Sequence, residues 1–262
     1  MTLDTTQYVL GALSGGLVGL TLGLFGGGGS ILAVPLMVYL VGVPSAHMAI
    51  GTSALAVAAN AGAGPVSHAR QHHVKWRCAA LFASAGIVGA WLGSTLGKAI
   101  DGKQLLFLFA ILMIVVGVMM VRKRNSGGDP AAECNRSNAP KVLGFGGLTG
   151  AFSGFFGIGG GFLIVPGLMA STNMAILYAV GTSLVAVTAF GLTTATNYAF
   201  SGFVDWPLAA VFIGGGIIGS FAGEALCRSL STRGSALNSA FAGLIFVVAV
   251  YMLIESAMTL LA

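Results

Sequence analysis

The sequence predicts an all-α polytopic membrane protein. It divides into two inverted repeats of about five segments each, eight to ten transmembrane helices in all, with two segments broken by Gly and Pro. Three observations predict this. Of 262 residues, 56% are apolar and only 7% are charged, with a mean hydropathy of +0.93. A soluble domain carries roughly 25% charged residues, so a surface this poor in charge would not be solvated. The few charges are spaced to leave intervals the length of membrane spans, and the two halves of the chain repeat. Soluble enzymes, nucleic-acid binders and disordered chains are set aside. The net charge of +5 resides in short loops between apolar runs, which is not the footprint of a nucleic-acid surface.

A membrane helix needs about 20 apolar residues. Between Asp4 and Arg70 there are 65 residues without Asp, Glu, Lys or Arg, between Arg77 and Lys98 there are 20, and between Lys103 and Arg122 there are 18. The second half follows the same plan, with 63 between Lys141 and Asp205, 18 between Asp205 and Glu224, and 21 between Arg233 and Glu255. Each long interval holds three segments if one is short, which makes five per half. If the short segments re-enter rather than cross, eight helices span the membrane. The first apolar run does not read as a signal peptide, because its leader carries Asp4 and no basic residue. Residues 1–122 form the first membrane repeat, 123–141 a polar cytoplasmic linker that reads as an exposed loop, and 142–262 the second repeat.

The repeat is visible residue by residue. Gly15 to Pro35 aligns with Gly146 to Pro166, with 12 of 21 positions identical, and Ala49 to Ala59 with Ala179 to Ala189, with 7 of 11. Trp76 matches Trp206 in the same register. Charge placement relates the halves. The loop after the third segment holds Arg70, Lys75 and Arg77 in one half, and no basic residue in its counterpart, Ser201 to Asp205. Basic residues favour the cytoplasm. Five segments per half with both termini outside puts the linker and 10 of the 12 basic residues inside, leaving only Lys98 and Lys103 outside. An odd number per half forces opposite orientations, the plan in which substrate binds near the midplane at the repeat interface.

Glycine has two patterns. Gly11, Gly15, Gly19 and Gly23 recur every four residues, as do Gly89, Gly93 and Gly97, then Gly146, Gly150 and Gly154, then Gly215, Gly219 and Gly223. Such stripes let helix backbones approach closely in lipid. The clusters GLFGGGGSILAVP at Gly23 and GFFGIGGGFLIVP at Gly154 differ. Glycine costs roughly 1 kcal/mol against Ala in a helix, so the chain is expected to unwind there and restart. Freed amides at a helix start, with its positive dipole end, suit an anion. The candidate substrate-binding residues are therefore Gly26, Gly28, Gly29 and Ser30 with Gly157, Gly159, Gly160 and Gly161. The triplets Gly51-Thr52-Ser53 and Gly181-Thr182-Ser183 add uncharged hydroxyls, which places Thr52, Ser53, Thr182 and Ser183 in the same set.

Other polar residues in apolar runs are His68 and its repeat counterpart Tyr198, Asn60, Asn197 and Glu224, candidates for coupling or for lining a cavity. Asn60 and Asn197 are expected to hydrogen-bond across helices, and Glu224 to pair with Arg228 one turn on. Cys78, Cys134 and Cys227 form no motif, and the linker position of Cys134 argues against a disulfide. No catalytic triad, metal-ligand cluster or cofactor motif is present, so neither enzyme activity nor a cofactor is expected.

The duplicated Gly-rich blocks ending in Val-Pro, the paired Gly-Thr-Ser triplets and the short loop leading into Trp206 resemble the TauE/SafE family, also called the toluene-sulfonate uptake permease family. The resemblance covers about Leu10 to Ile254. It implies transport of a small sulfur-containing anion, such as sulfite, thiosulfate, a sulfonate or a sulfoacetate-like compound, across the cell membrane. Export is the expected direction, because an inside-negative potential drives an anion outward. A narrow anion channel and a proton-coupled uptake permease are the alternatives. The implied partners are the anion and the bilayer, with no nucleic acid.

The charge asymmetry of the two matching loops generates a topological prediction. With the native cysteines replaced by serine, a cysteine at Gly202 should react with an impermeant thiol reagent in intact cells, and one at Gln71 only after permeabilisation. Labelling of both from the same side would mean parallel repeats.

Overall fold

The computed structural model describes residues 4–70, 74–122, 129, 132–159, 161–230 and 234–261. Within helices, side-chain surroundings are left undescribed at 25–27, 63–70, 119–122, 176–177, 224, 227–230, 234–242, 244, 257 and 259–261. The elements, in order, are α1 (Thr5–Phe25), a 3-10 stretch (Gly26–Leu32), the single turn α2 (Ala33–Pro35), a π-turn (Leu36–Leu40), α3 (Ala46–Arg70), α4 (Trp76–Lys98) and α5 (Gly102–Arg122). After the linker come α6 (Ala139–Phe156), α7 (Gly161–Thr172), α8 (Ile176–Phe200), α9 (Trp206–Leu230) and α10 (Gly234–Leu261). Four stretches are long and apolar enough to cross a membrane: Thr5–Leu24, Trp76–Lys98, Tyr178–Phe200 and Trp206–Gly223. Helices satisfy their own backbone hydrogen bonds, which is what a bilayer demands.

Three of the seven carboxylates begin helices. Asp205 accepts the Leu208 N–H at 2.9 Å at the start of α9. Asp101 accepts the Lys103 N–H at 2.7 Å at the start of α5, and Asp4 accepts the Thr5 N–H at 2.8 Å at the start of α1. Each satisfies an amide that lacks an intrahelical acceptor. Pro140 and Pro207 occupy first turns, where a missing N–H costs nothing.

The glycine stripes pair off. A Cβ added at Gly11 would meet Leu208, at Gly15 the Phe212 carbonyl, at Gly19 the Gly216 carbonyl, and at Gly223 the Leu20 carbonyl. The residue numbers rise together, so α1 and α9 run parallel, backbone against backbone. Gly89 meets Gly147, Gly93 meets Ala151 and Gly97 meets Phe155, so α4 and α6 also run parallel. Between α3 and α8 the order reverses, with Gly51 on Tyr198, Ala58 on Gly191 and Gly62 on Thr188. Thr52 and Asn60 on α3 meet Asp205 and Gly216, at the start and middle of α9, and Thr182 and Phe190 on α8 meet Lys75 and Gly86 in the same way. Two sets of co-directional helices result: α1, α3 and α9, and α4, α6 and α8. They are back to back through the antiparallel α3–α8 pair, and α5 packs with α10 outside them. Large apolar side chains point outward, among them Leu13, Val88, Leu96, Phe221, Val247 and Ile218, the last 74% exposed. This is the surface a lipid bilayer covers.

Three expectations need correction. The first cluster does not unwind at Gly26–Gly29. It tightens into the 3-10 stretch, passes through α2 and relaxes into the π-turn after Pro35, which keeps backbone groups bonded where no water reaches. The second does break: α6 ends on Gly157 at φ 67°, Gly159 follows at φ 63°, and the chain restarts at Gly161. Left-handed φ is the conformation only glycine adopts freely. The linker is not simply exposed. Cys134 forms a disulfide with Cys78 at the start of α4, Cα–Cα 5.3 Å, and both are buried. Asp129 exchanges backbone hydrogen bonds with Asn173 and Ala175 between α7 and α8. The expectation of unpaired thiols came from composition, which does not register that tertiary contact.

Adding a methyl at a crossing should be costly. Gly19→Ala and Gly150→Ala each press a Cβ onto a backbone carbonyl, and overpacking costs typically about 1–3 kcal/mol. Both should lower the melting temperature and the monodisperse yield in detergent. Gly144→Ala and Gly214→Ala, with nothing within 4 Å, should leave both unchanged.

Candidate functional site

The two irregular segments share α7 and α8 as neighbours. The 3-10 stretch packs on α1, α7 and α8. Gly29 lies against the backbone of Thr21 and Leu22, and Thr21 donates its hydroxyl to the Gly29 carbonyl at 3.3 Å. Gly28, Gly29 and Ser30 are buried, and Gly26 begins the stretch. In the second repeat, Gly157 lies against Ile50 of α3, and Gly159 lies between Val57 of α3 and Val187 of α8, at 2.9 and 3.4 Å from an added Cβ. Gly161 opens α7 and is buried. Gly160 lies outside the described residues. The second break is thus lined by α3 and α8, while the first packs on α1, α7 and α8, so α7 and α8 are neighbours of both.

The triplets are not brought together. Thr52 accepts the Asp205 N–H at 3.0 Å, and Thr182 accepts the Lys75 N–H at 3.1 Å. Each threonine holds the loop that precedes a fourth helix, Thr52 in the other repeat and Thr182 likewise. Because α3 and α8 are antiparallel, the two contacts lie at opposite ends of the pair. With 1.5 Å per residue, the threonines are separated by roughly 20 Å along the axis. Ser53 donates to the Ile50 carbonyl at 3.1 Å and Ser183 to the Val180 carbonyl at 2.7 Å, both back into their own helices. All four side chains are buried. The triplets therefore couple the two repeats, with one hydroxyl proton per threonine left to donate.

Asn197 and Lys98 form a saturated polar clamp at the ends of α8 and α4. Lys98 Nζ donates to the Asn197 carbonyl at 2.9 Å, to Asn197 Oδ1 at 2.7 Å and to Ser201 Oγ at 2.8 Å. Asn197 Nδ2 donates to Ser94 at 2.6 Å, Thr95 at 2.9 Å and the Trp91 carbonyl at 3.2 Å. Lys98 read in sequence as a loop charge, and its part in the clamp had no signal there. It also sits 5.8 Å from the ring centroid of Tyr198. Tyr198 is fully buried, with its hydroxyl unpartnered, 6.3 Å between ring centroids from His47, whose Nδ1 is also buried and unpartnered. Asn60 departs from expectation. Its amide crosses to α9 but bonds nothing, because Gly216 presents bare backbone there. The side chains of His68 and Glu224 lie outside the described residues.

Among the described residues, every buried polar side chain is Ser, Thr, Asn or Tyr, and none is ionised. The interior offers dipoles and hydroxyls. That chemistry can hold a small solute without a covalent or metal-assisted step.

A family model described as "Sulfite exporter TauE/SafE" matches residues 11–252. A probable membrane transporter protein of Xylella fastidiosa is 48% identical over 270 aligned positions, covering 100% of both chains. The probable membrane transporter protein YdhB of Bacillus subtilis is 28% identical over 79% of this chain and 85% of its own. The corresponding protein MJ0441 of Methanocaldococcus jannaschii is 29% identical over 75% of this chain and 78% of its own. No solved structure matches.

The threonine contacts generate a stability prediction. Thr52→Val and Thr182→Val keep shape but leave a part-buried N–H without an acceptor, which costs about 1–3 kcal/mol. Each should lower the melting temperature of ligand-free protein. The double variant should lose the sum, because the two sites share no partner. Unfolding curves of the three proteins test this.

Proposed function

The chain belongs to the TauE/SafE sulfite exporter family and is a multi-pass membrane transporter, not an enzyme, and from this premise we propose that it exports a small sulfur-containing anion. The observation that carries the reading is that both Gly-rich breaks are buried against α8, the second of them between α3 and α8. In this reading the anion sits against backbone amides near Gly28, Gly29, Gly159 and Gly161, within an interior free of described ionised side chains. Neutral dipoles hold an anion tightly enough to admit it and loosely enough to release it.

Helix direction supports the inverted arrangement. α1 is co-directional with α3 and α9, and α6 with α4 and α8, while α3 opposes α8. The first helices of the two repeats then point opposite ways, as alternating-access carriers with inverted repeats require. Charge supports the orientation, with both termini outside and the linker facing the cytoplasm. The Cys78–Cys134 bond would then lie on the cytoplasmic side, kept from reductants by burial, at 1% and 3% exposure.

Outward movement of one negative charge gains about 2.3 kcal/mol per 100 mV of inside-negative potential. Efflux then needs no coupling ion. Proteoliposomes loaded with radiolabelled sulfite, with the potential set by potassium and valinomycin, test this. Efflux should saturate with concentration and accelerate as the interior becomes negative. Efflux indifferent to potential would overturn the electrogenic version, and discrete single-channel currents would overturn the carrier.

A further inference from the structure

The two repeats differ in chemistry at the place where α8 meets α4 in one half and α3 meets α9 in the other. Phe190 on α8 packs its ring against Gly86 of α4 and stacks on Phe82, ring centroids 6.1 Å apart. It fills the space beside the crossing of Gly86 with Gly150. At an offset of 130, the same place in the first repeat belongs to Asn60 on α3, which meets Gly216 of α9 beside its crossing with Gly19. A ring in one half is replaced by a smaller amide in the other. Asn60 is 3% exposed, and neither Nδ2 nor Oδ1 has a hydrogen-bond partner. An unsatisfied buried amide is costly, and in a membrane interior no lipid group compensates it. Mere helix adhesion does not explain it, since an adhesive Asn makes bonds, as Asn197 does.

Its place relative to the breaks is informative. Asn60 is residue 15 of the 25 in α3, near mid-depth. It lies one turn beyond Val57, which faces Gly159 of the second break. Across from it, Gly216 packs on Gly19 of α1. The amide is therefore one turn from the side chain that faces the second break, on a helix of the first repeat.

We infer that Asn60 is a ligand of the transported solute, donating Nδ2–H to an oxygen of a small, partly hydrated oxyanion while Oδ1 accepts from its water. The site is one-sided: the first repeat supplies the polar contact and the second, through Phe190, an apolar wall. This rests on the reading of the chain as a carrier of a small oxyanion.

The test compares wild type, Asn60→Leu, Asn60→Ala and Asn197→Leu, in detergent for melting temperature and sulfite binding, and in liposomes for sulfite flux. An amide that waits for a ligand is a burden to the empty protein, so Asn60→Leu should melt at or above the wild-type temperature. Asn197→Leu, which breaks a formed network, should melt lower. Both Asn60 variants should bind sulfite about 10- to 150-fold more weakly, the loss of one hydrogen bond to a charged group. Asn60→Ala supplies the binding readout if Leu does not fit beside Gly216. Wild-type affinity in the Asn60 variants would overturn the inference while leaving the transport reading intact. So would an Asn60→Leu protein that melts as low as Asn197→Leu. Wild-type protein that neither binds nor moves sulfite would overturn the reading instead.

Discussion

The arrangement depends on backbone meeting backbone at two glycine crossings. Lipid is as apolar as leucine, so no hydrophobic force drives these helices together, and close packing has to do it. Gly15 and Gly19 of α1 lie on carbonyls of α9, and Gly89 and Gly93 of α4 on those of α6. Each crossing joins the first helix of one repeat to the fourth of the other. Neither repeat closes alone, and the interior between them exists only when both halves are present.

On that frame the polar groups divide by position. Three carboxylates stand at helix starts, where Asp4, Asp101 and Asp205 accept amides with no other acceptor. Threonines 52 and 182 tie each third helix to the loop opening a fourth helix. Lys98 is spent on the end of α8, its three hydrogen bonds all taken. Among the described residues, the buried polar atoms left without partners are those of Asn60, Ser14, Ser153 and Thr194, the Tyr198 hydroxyl and the His47 Nδ1. A carrier needs such groups, since a contact already satisfied by the protein has nothing to offer a passing solute.

Duplication makes the departures from symmetry informative. Both threonine contacts and both glycine crossings recur in the second half, as structure that either half needs. The breaks do not match: one keeps its hydrogen bonds as a 3-10 stretch, the other turns through Gly157 and Gly159 at positive φ. Asn60 and Phe190 do not match either. The halves agree at Gly15/Gly146 and Gly19/Gly150 in the crossings and differ at Asn60 and Phe190.

The sequence by itself determined the membrane class, the duplication, the helical segments and which glycines are close-packed. These are local or periodic properties: charge-free length, a spacing of four, a repeated block. It also placed the breaks, because Gly clusters weaken a helix wherever they lie. Tertiary structure alone decided which stripe meets which, that Cys78 and Cys134 pair, that Thr52 and Thr182 face opposite ends, and that Asn197 is bonded while Asn60 is not. Each of those depends on which residue arrives from a distant helix. Asn60 and Asn197 look alike in an apolar run, and only the neighbour, hydroxyls of α4 for one and bare Gly216 for the other, tells them apart.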